Sequence, residues 1–137
     1  CGMPIEMIVR CINSLCSLSQ KDQFATLDFL CVDALNHRVI LSKNGAAPSY
    51  LIRGNETLRI EGHSLPLGIV KQISPDCFQV EVRSKDVFVM CSDGADELMI
   101  QKWLRSRNTA ELRQSIEQTL KVHDKKDDIT VIVAEIL

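Results

Sequence analysis

Turn signals at short intervals limit this chain more than anything else in it. Between Phe24 and Cys91 each β-type run is soon broken by Gly, Pro, Asn, Asp or Ser. "FATLDFLCVDAL" reads as a strand, Asn36-His37 as a turn and "RVILSK" as the returning strand, so the three make a hairpin. "NGAAPS" (44–49) reads as a loop, and "YLIRGNETLRI" as a second hairpin turning at Gly54-Asn55. "EGHSLPLGIV" has no period. "FQVEVR" and "VFVMC" are expected to pair with each other across Ser84-Lys85-Asp86. Strands this short, joined by tight turns, call for antiparallel sheets.

Helical periodicity is confined to the first residues and to a stretch near the end. Pro4 sits where a first helical turn tolerates it, and Ile5, Ile8, Val9, Ile12, Leu15 and Cys16 follow on one face. After Asp93 the pattern turns helical to about Arg105. Asn108 and Glu111 then form a capping-box pattern that opens a helix over 109–122. "HDKKDD" leads into a last strand, "ITVIVAEI". The expected class is α+β, in one domain without repeats or an internal linker.

Charge and composition exclude several functions. Net charge is −2, so there is no basic field to recruit nucleic acid, and four Phe, one Tyr and one Trp make a poor base-stacking surface. No apolar run approaches the roughly 20 residues that a membrane span needs. The six cysteines (1, 11, 16, 31, 77 and 91) lie mostly within apolar periodic segments and lack the paired spacing of a zinc site. They are expected to be reduced thiols, which suits a cytoplasmic protein. His37, His63 and His123 lie in expected turns or loops with no nucleophile pattern beside them. Phosphate-cradling glycine motifs are absent.

Two acidic junctions carry the remaining chemistry. "VFVMCSDGADE" runs an apolar strand straight into Asp93-Gly94, and "KKDDITVIVAEI" places Asp127 and Asp128 just before another strand. Carboxylates at strand ends are rigidly placed and reachable by water. Brought together, such hard oxygen donors favour magnesium, manganese or calcium. A glycine after Asp93 lets the backbone turn sharply and approach a ligand closely. Other readings stand beside this one: Asp93 would simply cap the following helix, and Asp127-Asp128 would be a solvated loop beside Lys125 and Lys126.

The order of the blocks is more specific than any one of them. "INSLCSLSQKDQFATLDFLCVDA", "KNGAAPSYLIRG", "SLPLGI", "VFVMCSDGADE" and "KKDDITVIVAEI" resemble successive blocks of the stage II sporulation protein E phosphatase domain. That domain belongs to the metal-dependent (type 2C) serine/threonine phosphatases. The resemblance implies two antiparallel sheets in a sandwich flanked by helices. It implies metal-ligand roles for Asp93 and Asp127, with Gly94 and Asp128 in support. It implies two Mn2+ or Mg2+ ions in the complete domain, and attack by a metal-activated water on phosphoserine or phosphothreonine.

By the same resemblance, the partner is a phosphorylated regulatory protein of the anti-sigma-factor antagonist type, in sporulation or stress control. The family's earlier aspartate-glycine motif has no match, because no aspartate before Asp93 is followed by glycine. The chain also opens on Cys1-Gly2. Residues 1–137 are therefore expected to be the C-terminal portion of one phosphatase domain, inactive alone and able to form homodimers. The parent would be cytoplasmic, or tethered by an upstream membrane anchor or sensor domain. The alternative is a non-catalytic, phosphatase-like binding or signalling module.

Overall fold

The computed structural model describes residues 2–18, 24–106, 108–122 and 127–137. In chain order the elements are α1 (Ile5–Leu18), β1 (Leu27–Asp33), β2 (Arg38–Asn44), β3 (Ser49–Arg53), β4 (Glu56–Ile60), β5 (Asp76–Glu81), β6 (Val87–Cys91), α2 (Glu97–Leu104), α3 (Thr109–Val122) and β7 (Val131–Glu135). The class is α+β, with two antiparallel sheets and three helices, as expected. The chain divides into two compact units, Cys1–Ala46 with Glu61–Val82 and Ala47–Ile60 with Arg83–Leu137. No helix among the described residues is long and apolar enough to cross a membrane.

The first unit holds α1 and a three-stranded sheet in the order β1-β2-β5. Pro4 starts the helix, its carbonyl accepting from the Met7 and Ile8 amides at 3.0 and 3.2 Å. Ile5, Val9 and Asn13, four residues apart, are the buried stripe of α1. Ile5 and Val9 pack with Leu67 and Ile73, against Leu27, Phe29 and Ile40 of the sheet. Full burial of one such aliphatic side chain contributes about 1.5–3 kcal/mol. Lys43 is wholly buried and meets Asp28, its cross-strand neighbour, at 2.6 Å. Slipping the β1–β2 register would strand that ammonium away from its carboxylate, at a large desolvation cost.

The second unit holds α2, α3 and a four-stranded sheet in the order β4-β3-β6-β7. The β3–β4 hairpin turns at Gly54, whose φ of 58° suits glycine. Every residue of β6 is buried. Trp103 is fully buried among Val89, Leu112 and Ile116, and its indole N–H donates to Thr119 Oγ1 at 3.2 Å. Asn108 opens α3 as expected, its Oδ1 accepting from the Glu111 amide at 2.9 Å.

One expected pairing is wrong. "FQVEVR" and "VFVMC" are not partners: β5 pairs with β2, whereas β6 pairs with β3 and β7. The turn between them is real but leads from one sheet to the other. Lys85 adopts φ 72°, and the buried Asp86 accepts from the Arg83 amide at 2.9 Å and from Arg53 Nη2 at 2.6 Å. Those bonds fasten the turn to β3. A fully buried strand also needs a partner on each edge, which a simple hairpin with β5 would not supply.

Candidate metal centre

Antiparallel pairing of β6 with β7 sets Cys91 opposite Val131. The end of β6 and the beginning of β7 therefore lie at one end of the sheet, and both acidic junctions emerge there. Ser92 ties them together. Its amide donates to the Thr130 carbonyl at 3.0 Å, and its Oγ accepts from the Thr130 amide at 2.9 Å. The same hydroxyl donates to the Asp128 carbonyl at 3.3 Å. These bonds hold residues 128–130 against Ser92, which is why β7 begins at Val131 rather than at Ile129.

Gly94 completes the join. A Cβ at this position would lie 2.5 Å from the Asp128 carbonyl oxygen and 3.2 Å from Ile129 Cγ1. Glycine is required here for close approach, and what approaches is the second junction's own backbone. Asp128 thus meets Gly94 through its main chain, while its side chain is exposed. Ser92 and Thr130 escaped the sequence reading. Their only signal was a hydroxyl residue flanking each strand beside an aspartate.

Asp93 is exposed and does not cap α2. That task falls to Asp96, whose Oδ1 accepts from the Met99 amide at 2.8 Å. Among the described residues no hydrogen bond engages the Asp93 carboxylate. Asp127 is also exposed, and its Oδ1 accepts from the Asp128 amide at 2.8 Å, which orients the carboxylate relative to the turn. The donor set is one of hard carboxylate oxygens, suited to magnesium or manganese and unsuited to soft metals. It fits part of such a site: among the described residues no group of three or more His, Cys, Asp or Glu side chains would enclose an ion. Lys125, Lys126 and His123 lie outside the described residues.

The remaining candidates fall on other elements, except Cys91, which ends β6 just before Ser92. His37 occupies the β1–β2 turn with φ 48°, and His63 lies in the segment after β4. Cys11, Cys16, Cys31, Cys77 and Cys91 are free thiols. Burial is the first cause that raises the Cys77 pKa above its ordinary value.

The fold is that of the type 2C phosphatase domains. The chain superposes on the solved phosphatase domain and regulatory fragment of the cell fate determinant SpoIIE from Bacillus subtilis with a TM-score of 0.82 and 23% identity, covering 98% of this chain and 45% of that one. RsbX in complex with magnesium matches with a TM-score of 0.79 at 16% identity, covering 98% of this chain and 66% of that one. In sequence, stage II sporulation protein E of Priestia megaterium is 29% identical over 152 aligned residues, covering 98% of this chain and 26% of its own length. Residues 1–137 match the family described as stage II sporulation protein E (SpoIIE) throughout, and the chain belongs to that family. It spans about a quarter of the Priestia relative.

Proposed function

We propose that this chain is part of a metal-dependent phosphatase that hydrolyses phosphoserine or phosphothreonine on a regulatory protein. The observation that carries the reading is the Ser92 clasp, which draws the two acidic junctions together in a chain of this family and fold. Asp93 and Asp127 are the metal ligands in this reading, and manganese or magnesium is the ion their hard oxygens favour. The magnesium complex of the fold neighbour RsbX supports that choice. Ions of this kind acidify a water for attack on phosphorus and neutralise the phosphoryl oxygens.

The chain's own residues do the positioning. Asp93 presents a carboxylate that no described residue engages, and Asp127 presents the oxygen not held by the Asp128 amide. Gly94 and the Asp128 carbonyl hold the two turns at a fixed spacing. Residues 1–137 supply these two ligands as the C-terminal portion of the phosphatase domain. The substrate is a phosphorylated anti-sigma-factor antagonist in the cytoplasm, a reading supported by membership of a sporulation family.

The test is phosphate release from a phosphoserine protein by the full-length parent, with and without manganese. Asp93→Asn and Asp127→Asn should each lower turnover at least about a hundredfold, roughly 2.7 kcal/mol of barrier. Wild-type turnover in either variant would remove that residue from the site. A parent that binds the phosphoprotein but never turns it over would establish the non-catalytic alternative.

A further inference from the structure

We infer a second ligand site in the first unit: the cleft between α1 and residues 68–74 binds a phosphate monoester, as carried by a phosphoserine or phosphothreonine peptide. The cleft has a volume of about 520 Å³, and Arg10, Ser14, Lys71, Gln72 and Ser74 line it around Asn13. One buried side chain builds it. Asn13 is 1% exposed, and its Nδ2 donates to the Val70 and Lys71 carbonyls at 3.0 and 3.2 Å. Its Oδ1 accepts from the Gly68 amide at 2.9 Å, at a residue whose φ is 89°. Three bonds from one amide thus clamp the turn to the helix, so the walls are set before any ligand arrives.

Charge identifies the ligand. Arg10 and Lys71 line the cleft in a chain of net charge −2, and among the described residues no carboxylate lines it. Among the described residues neither cation has a hydrogen-bonding or ion-pair partner for its side chain. Glu6, one helical turn before Arg10, has its carboxylate beside the Cys77 thiol. A phosphate monoester offers the two cations nearly two negative charges and three acceptor oxygens, more than a single carboxylate does. The guanidinium fork suits two of those oxygens, and the ammonium acts as a point charge on the third. Gln72 and Ser74 add neutral donors. The volume far exceeds one phosphate group and leaves room for flanking peptide.

This site is independent of the acidic junctions, and the experiment separates them by removing metal. The full-length parent in EDTA is titrated against a labelled peptide in phosphoserine, serine and glutamate forms, with anisotropy as the readout. The phosphoserine form should bind at least tenfold tighter than either other form, and millimolar inorganic phosphate should displace it. Replacing both cations, Arg10→Gln with Lys71→Gln, should weaken phosphopeptide binding at least tenfold. Both side chains are exposed, so the melting curve of the double variant should match the wild type. Equal binding of the serine and phosphoserine forms would overturn the inference, as would undiminished binding by the double variant. Binding that appears only when manganese replaces EDTA would do so too, because the phosphoryl group would then sit at Asp93 and Asp127.

Discussion

Gly94 and Asp128 touch: a methyl group on the glycine would stand 2.5 Å from the aspartate's carbonyl oxygen. The neighbour is backbone, and Ser92 and Thr130 already hold it, so it has little freedom to move away. Gly94→Ala should therefore separate the two acidic turns. Overpacking of this kind costs about 1–3 kcal/mol. In the parent protein turnover should fall by more than the stability loss explains, since both candidate ligands shift. A folded Gly94→Ala variant with wild-type, manganese-dependent turnover would show that the join does not position the ligands.

Ser92 tests the same join from the other side. Ser92→Ala deletes the acceptor for the Thr130 amide and the donor to the Asp128 carbonyl. Water can replace both partners at this exposed end, so the stability loss should stay near 1 kcal/mol. Hydrogen exchange at Thr130 should quicken, while exchange at the buried β6 amides stays slow. Unchanged exchange at Thr130 would mean that the hydroxyl does not hold the second junction.

Gly94 and Ser92 were not equally legible in the sequence. Asp93-Gly94 and Asp127 stood out because a carboxylate at the edge of an apolar run breaks a local pattern. The α1 stripe of Ile5 and Val9, the turn at Gly54 and the Asn108 cap were legible for the same reason, since each is set by neighbours in the chain. The partner of β5 was not legible. Alternation in "FQVEVR" shows that it is a strand but carries nothing about which edge it will meet, and the Arg53–Asp86 bond that decides the route joins distant positions. Ser92 and Thr130 were hidden likewise, because a hydroxyl beside a turn is ordinary until its partner is known. Asp96 and Asp93 are both eligible caps in sequence, and only the backbone shows that Asp96 is the one used.

Asp86 should make stability sensitive to acid. Hydrogen bonds from the Arg53 guanidinium are the first cause that holds its carboxyl below the usual aspartate value; the Arg83 amide adds to this and burial opposes it. The folded value is thus lower than the unfolded one, about 3.9. The stabilisation is complete above the unfolded value and is lost as pH falls through the folded value. Urea midpoints should hold steady from about pH 7 to 5 and drop below about pH 4. Asp86→Asn should cost about 2–3 kcal/mol at neutral pH, because it removes a charge that the Arg53 guanidinium binds, and should flatten that acid limb. An equally steep limb in the variant would assign the acid sensitivity to other carboxyls such as Asp33, whose pKa is lowered first by Asn36.

Residues 1–137 taken alone should bind one divalent ion weakly and hydrolyse nothing. The described residues bring two carboxylates to the sheet end and no third ligand, so most of the coordination shell of any ion there must be water. A paired-ion mechanism needs both ions held at a fixed separation, which two ligands cannot enforce. Manganese is a suitable probe, because its paramagnetism broadens nearby amide signals. On titration the signals of Asp93, Gly94, Asp127 and Asp128 should broaden together at millimolar metal, with those of β4 unaffected. Asp93→Asn should abolish the broadening at Asp127 and Asp128 as well as at its own amide, since both carboxylates share the ion. Broadening at only one junction would separate the two aspartates and end the shared-site reading. Manganese-dependent hydrolysis of a phosphoserine peptide by this segment, absent from an Asp93→Asn control prepared in parallel, would show instead that the residues described suffice for a working centre.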